Sequence, residues 1–202
     1  MSDVKTIKGV CGRAIPKPAD DQNTDDITPA RYLKEITFKN MRGYVYFDER
    51  FKNGSKVEGH PFNNEKYGGA NILVAGANYG CGSSREHAPQ ALYRFGIRAI
   101  IAESFAEIFA GNCTALGLVT ITVSKESIQK LSETVKEIPN TEFTINLNKK
   151  KITFGEHEID FDISEGKRQA FLNGTWDSLS LLKQNEAKTE EAADSLSYLK
   201  FN

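Results

Sequence analysis

Residues 71–138 repeat one pattern: a short, unbroken apolar run, then a segment whose apolar residues recur every three or four positions. The runs are Asn71-Ile72-Leu73-Val74-Ala75-Gly76, Arg98 to Ala102 and Leu118 to Val123. Each has the length and continuity of a strand buried on both faces. Ala88, Ala91, Leu92 and Phe95 follow the first at i, i+3, i+4 and i+7, the stripe of an amphipathic helix. Pro89 fits only near a helix start, where N–H groups have no intrahelical partner, so this helix is expected to begin around Ser84 to Glu86. Ser104-Phe105-Ala106-Glu107 reads as a capping box opening the next helix, with Phe105, Ile108 and Phe109 on its buried face. Ile128, Leu131, Val135 and Ile138 mark a further helix, stopped by Pro139-Asn140. Strand and helix alternating in this way require right-handed crossovers, which predicts a parallel sheet.

Beyond residue 140 the period changes. Phe143 to Leu147, Ile152 to Phe154 and Ile159 to Ile163 alternate apolar and polar, and the turns between them are too short for crossovers. They are expected to pair antiparallel, as a second sheet. A helix over Ser164 to Leu172 should stop at Asn173-Gly174, and Asp177 can cap another carrying Leu179 and Leu182. Upstream, Thr6 to Ile15 reads as an opening strand ending at Pro16-Lys17-Pro18. The acidic stretch from Asp20 to Asp26 reads, on composition, as a solvated loop. Arg31 to Lys66 is irregular, apart from a predicted strand at Tyr44 to Phe47, and loops of this size are usually functional or mobile. With 202 residues, the chain is about one domain: residues 1–185, followed by an acidic tail, 186–202. The tail has a weak stripe of Ala192, Leu196 and Leu199, and is either disordered or docked on a partner.

Twenty-six basic residues against 27 acidic ones leave a net charge of −1, so no overall positive field favours nucleic acid or an anionic membrane surface. The apolar runs fall far short of the ~20 residues that a membrane-spanning helix needs. Met1-Ser2-Asp3-Val4-Lys5 lacks the apolar core of a secretory signal, and a cytoplasmic location is expected. Cys11, Cys81 and Cys113 are widely spaced, without a CxxC pair or zinc-type spacing, and read as free thiols in a reducing compartment.

The segment from Asn78 to His87, with Gly80-Cys81-Gly82-Ser83-Ser84-Arg85 at its centre, lies between a buried strand and a helix start, where open α/β sheets bind ligands. Gly80 and Gly82 permit unusual backbone conformations, and successive N–H groups at a helix start can surround a carboxylate or phosphate. Arg85 adds a two-pronged donor, and the Ser83 and Ser84 hydroxyls can donate, accept or act as a base. The alternative is a tight turn with a cap and no chemistry. The phosphate-loop pattern GxxxxGK[ST] and the hydrolase elbow GxSxG are both absent. His87 reads as a capping or packing residue, because no acid partner for a triad is identifiable. Cys81 is either a reactive thiol or a small turn residue. His60 and His157 carry no assigned role.

Gly80 to Pro89, Ser104 to Phe109 with Asn112 and Gly117-Leu118, and Thr24-Asp25 with Ile27, Pro29 and Arg31-Tyr32-Leu33 together resemble the small subunits of 3-isopropylmalate dehydratases, the swivelling domain of the aconitase superfamily. The resemblance spans about residues 5 to 185. It implies an α/β fold, a three-layer β/β/α swivelling domain with one parallel and one antiparallel sheet. It implies a hydro-lyase that isomerises 2-isopropylmalate to 3-isopropylmalate through an alkene in leucine biosynthesis, inactive without a large subunit that carries a four-iron four-sulfur cluster. No cofactor or metal is then expected on this chain, whose cysteines lack clustered ligand spacing. By position, Ser83 resembles the serine that moves the carbon-bound proton, Ser84 and Arg85 match residues that hold a substrate carboxylate, and Thr24 and Asp25 line the same cleft. Arg31, Tyr32 and Leu33 begin the loop that contacts the variable substituent of a 2-alkylmalate. Gln90 stands where many relatives have tryptophan and Thr28 where isoleucine is common, which leaves open a citramalate- or homoaconitate-type substrate. A stand-alone anion-binding module is the non-enzymatic alternative.

Overall fold

The opening segment is not one strand but two, and they belong to different sheets. In a computed structural model describing residues 5–35, 37–83, 85–178, 181–182 and 186–196, β1 (Gly9–Gly12) and β2 (Ala14–Lys17) are separated only by Arg13. The Arg13 carbonyl accepts from the N–H groups of both Asn71 (3.0 Å) and Ile72 (3.1 Å), and the Asn71 side-chain amide donates to the Cys11 carbonyl (2.9 Å). Asn71 thereby anchors the point where the chain crosses between sheets.

The acidic stretch is also more ordered than its composition suggests. It contains α1 (Thr24–Ile27), opened by a capping box in which the Asn23 side chain accepts from the first turn and Asp26 accepts from the Asn23 N–H. Thr24 and Ile27 are buried. The strand expected at Tyr44 to Phe47 is absent; the residues belong to α2 (Met41–Tyr44) and α3 (Phe47–Arg50), which bracket Tyr46 in the left-handed region at φ 48°. The apolar run there reflects burial, since Met41, Val45 and Tyr46 are fully enclosed, not strand periodicity. A small hairpin, β3 (Phe51–Lys52) with β4 (Ser55–Lys56), follows.

The alternating segment forms as expected: β5 (Ile72–Ala75), α4 (His87–Phe95), β6 (Ala99–Ala102), α5 (Glu107–Ala115), β7 (Val119–Thr122) and α6 (Lys125–Glu137). The parallel sheet has the order β2-β5-β6-β7, and every residue of β5 and β6 is fully buried. Helix α4 begins at His87 with Glu86 as its cap, at the end of the expected range, and Pro89 lies in its first turn. Two local expectations fail. Helix α5 begins at Glu107 with no side-chain cap, because the Ser104 hydroxyl instead accepts from the Asn78 N–H at 2.7 Å. Ile108 and Ile138, read as buried, are 64% and 61% exposed.

The second sheet is antiparallel with the order β1-β8-β9-β10, where β8 is Phe143–Asn146, β9 Lys151–Phe154 and β10 His157–Asp160. Asp162, read as part of the third strand, pairs antiparallel with Thr122 at the edge of the parallel sheet. One hydrophobic core runs through both sheets, from Ile72 and Ile100 to Phe143 and Ile152. Helix α7 (Glu165–Asn173) stops at Gly174, and α8 (Glu186–Ser195) lies in the acidic tail. Leu179 and Leu199 lie outside the described residues, and Leu182 is exposed.

Burial assigns different weights to residues that look alike in the sequence. Leu73→Ala, in the centre of the parallel sheet, should cost about 2–5 kcal/mol of unfolding free energy. Ile138→Ala should change it by less than about 0.5 kcal/mol. Urea unfolding of the two variants checks both values.

Candidate active site

The parallel pairing of β2, β5 and β6 brings their carboxyl ends to one edge, and the segments that leave them are laced together. Asp20 accepts from the Ala77 N–H (2.8 Å) and Asp21 from the Asn78 side-chain amide (2.8 Å). The Gly80 N–H donates to the Gln22 carbonyl and the Thr24 N–H to the Cys81 carbonyl, both at 2.8 Å. On the other side, Tyr79 exchanges main-chain hydrogen bonds with the segment after β6, donating to Ser104 and accepting from Ala106 at 3.0 Å each. The loop after β5 is thus held between two neighbours before it reaches the helix.

Two glycines make the close approach possible. At Gly80, φ is +79° and a Cβ would lie 2.1 Å from the ring of Phe109; at Gly82, φ is +91° and a Cβ would lie 2.4 Å from Asn23 Oδ1. A side chain at either position meets both an unfavourable backbone and an occupied space.

This arrangement brings four of the residues singled out in the sequence together. The buried Thr24 donates its hydroxyl to the Ser83 carbonyl at 2.8 Å. Asp25 lies 3.6 Å from Arg85 Nη1. That nitrogen is buried and makes no hydrogen bond, its charge facing Asp25, while about a third of the Arg85 side chain (34%) is exposed beside the loop. Ser83 is exposed, and among the described residues its hydroxyl makes no hydrogen bond. Ser84 lies outside the described residues. The loop leads into the amino terminus of α4, where unpaired N–H groups favour negative charge. A bound carboxylate would satisfy both the helix end and Arg85.

Arg31, Tyr32 and Leu33 occupy a short 3-10 turn, Ala30–Lys34, with its own set of contacts. Arg31 makes a two-pronged ion pair with Asp48, whose carboxyl is held below its ordinary range by those hydrogen bonds. Tyr32 stacks on Tyr44 (3.8 Å between ring centres) and meets Phe47 edge-on. This cluster touches none of Ser83, Arg85, Thr24 or Asp25 through a hydrogen bond or ring contact. The same loop reaches the site further along, where Phe38 packs edge-on against His87 at 5.2 Å, which gives His87 the packing role expected of it.

Two of the thiols lie where burial disfavours the thiolate. Burial, then the nearby Asp21 charge, raises the Cys81 thiol above its ordinary value, and its Sγ donates to the Asp21 carbonyl. Burial raises Cys113 much further, and Cys11 lies on the antiparallel sheet. Among the described residues, no three His, Cys, Asp or Glu side chains are grouped to hold a metal.

The sequence reading missed Asn23, Tyr46 and Tyr79. The first was visible as an Asn-x-x-Asp capping pattern, Asn23 to Asp26; the two tyrosines meet across 33 positions and carry no local signal. Two buried oxygens near α1, Gln22 Oε1 and Thr28 Oγ1, lack partners, while Gln90 donates to Glu86 at 2.9 Å.

The profile of the aconitase C-terminal domain matches residues 1–126. A 3-isopropylmalate dehydratase small subunit from Synechocystis sp. is 42% identical over 199 residues, covering 98% of this chain and 96% of its own. The corresponding protein of Thermus thermophilus is 43% identical, with 85% of each chain covered. The crystal structure of a 3-isopropylmalate dehydratase from Methanocaldococcus jannaschii superposes with a TM-score of 0.63 at 30% identity, over 90% of this chain and 99% of its own. Near-complete coverage by these relatives, over the two-sheet fold and the glycine-serine loop alike, shows that the chain belongs to the family of 3-isopropylmalate dehydratase small subunits.

Proposed function

We propose that this chain is the small subunit of a 3-isopropylmalate dehydratase, and that Ser83 and Arg85 are its contribution to the chemistry. The observation that carries the reading is an exposed Ser83 hydroxyl, without a hydrogen bond among the described residues, two positions from Arg85, with Thr24 of α1 holding the Ser83 carbonyl and Asp25 of α1 facing the guanidinium. Arg85 and the start of α4 hold one carboxylate of the substrate, a role the family resemblance extends to Ser84. Ser83, as alkoxide, takes the proton from carbon while the hydroxyl leaves the neighbouring carbon as hydroxide, giving 2-isopropylmaleate, a protonated Ser83 and hydroxide. Rehydration in the opposite sense returns a proton from Ser83 and places the hydroxyl on the other carbon. Thr24 fixes the Ser83 carbonyl, and Asp25 orients Arg85.

A cytoplasmic large subunit carries the four-iron four-sulfur cluster, which supplies a Lewis acid for the leaving hydroxyl. The wide spacing of Cys11, Cys81 and Cys113 supports placing the cluster on that partner. Pure chain alone is therefore expected to be inactive on 2-isopropylmalate, and mixing it with the large subunit should produce activity. Turnover by the iron-free chain would refute this division of labour.

Ser83 and Arg85 are expected to fail differently in the reconstituted enzyme. Ser83→Ala should lower kcat by about 10²–10⁴ while analogue affinity changes little. Arg85→Lys keeps charge but loses the planar fork, so it should weaken binding and also slow turnover. Steady-state kinetics with analogue titration separate the two; a Ser83→Ala enzyme retaining more than about a tenth of kcat excludes a general base.

The turn at Arg31 to Leu33 is the proposed reader of the substrate's apolar group. Because Tyr32 also holds the aromatic stack, Leu33→Ala is the cleaner probe. It should shift the ratio of kcat/KM between 2-isopropylmalate and citramalate by up to about 200-fold. An unchanged ratio would assign recognition to another segment.

A further inference from the structure

Tyr46 has an unusual position for a residue with no assigned role. It is fully buried, yet its backbone adopts the left-handed conformation at φ 48°, which a bulky residue avoids unless its surroundings impose it. Its N–H donates to the carbonyl of Ile27, the last residue of α1, at 2.8 Å. Its hydroxyl meets that of Tyr79 at 2.5 Å, and Tyr79 is the residue immediately before Gly80. One residue therefore contacts both halves of the site: the helix bearing Thr24 and Asp25, and the root of the loop bearing Ser83 and Arg85.

The surroundings hold Tyr46 on every side. Lys17, at the end of β2, lies 4.5 Å from the centre of its ring and pairs with Glu49 at 2.8 Å. His60 and Phe62 pack on the ring at 5.7 Å and 4.9 Å. The Phe62 N–H donates to His60 Nδ1, which leaves the imidazole proton on Nε2, 3.4 Å from the Glu49 carboxylate. Tyr79 is enclosed in turn by Phe105 and Phe109. Burial pushes both phenols far above their ordinary value, so the contact is a neutral hydroxyl pair at any working pH.

We propose that Tyr46 is a positioning residue: through Ile27 on one side and the Tyr79 hydroxyl on the other, it keeps α1 and the Gly80–Arg85 loop in register, so that Ser83 and Arg85 meet the same substrate. The catalytic part of this inference rests on the proposed function; the mechanical part does not.

Two readouts on the full chain separate positioning from plain stability. Tyr46→Phe removes one hydroxyl and leaves the other buried without a partner, whereas Tyr46→Phe/Tyr79→Phe leaves none unpaired and should recover most of the lost thermal stability. The expected result is amide exchange in residues 77–86 faster by roughly tenfold in both variants, with β6 and β7 unchanged. With the large subunit, kcat should fall by a similar factor in both, KM moving by less than about threefold. Exchange that is unchanged, or faster throughout the molecule, overturns the proposal, as does a double variant with wild-type kcat. Wild-type enzyme inactive on 2-isopropylmalate would instead count against the proposed function, and the exchange measurement would still decide the role of Tyr46.

Discussion

The loop from Gly80 to Arg85 has a defined shape because a second stretch of main chain runs beside it. Asp20 to Thr24 hydrogen-bonds Ala77, Gly80, Cys81 and the Asn78 side chain, and the Thr24 hydroxyl continues the contact to the Ser83 carbonyl. Without that neighbour the loop would be a glycine-rich turn with many conformations, and the Ser83 carbonyl would lose its tie to α1. Gly80 and Gly82 let the two chains approach closely, and Phe109 and Asn23 fill the space that side chains there would need. The acidic residues of the neighbouring segment are used as acceptors, which is why so much like charge is tolerated in one place.

The parallel sheet supplies the reason for this convergence. Strands β2, β5 and β6 end together, so the segments leaving them are neighbours without any long-range guidance. At this edge Ser83 is exposed, Arg85 is half-buried and Thr24 is buried behind them. The antiparallel sheet takes no part in the site; it shares the core and fixes the chain's opening through Asn71.

The order β5-α4-β6-α5-β7-α6 was legible because strands buried on both faces must be continuously apolar, a signal that survives without tertiary information. The position of the glycine-serine loop followed from that order. What was not legible depends on contacts between distant residues. Asp20 to Asp26 reads as solvent-facing until Cys81 and Asn78 are placed beside it. Tyr44 to Phe47 has the composition of a strand, but burial against α4 and the bond from Tyr46 to Ile27 turn it into the junction of two short helices. Ser104 has the sequence of a cap, and loses that role because Asn78 competes for its hydroxyl. Thr24 and Asp25, far from Ser83 and Arg85 in sequence, meet them through α1, while Arg31 pairs with Asp48 and Tyr32 stacks on Tyr44 in a separate cluster.

The central claim is that Thr24 acts on catalysis through the Ser83 carbonyl. The direct measurement is kcat of the reconstituted enzyme with Thr24→Ser and with Thr24→Val, which has nearly the same shape but no hydroxyl. The account predicts that the serine variant keeps most of the wild-type rate while the valine variant loses roughly tenfold or more, as expected when reacting groups are misplaced. Equal rates in the two variants would show that the hydroxyl does not hold the loop, and would contradict the account.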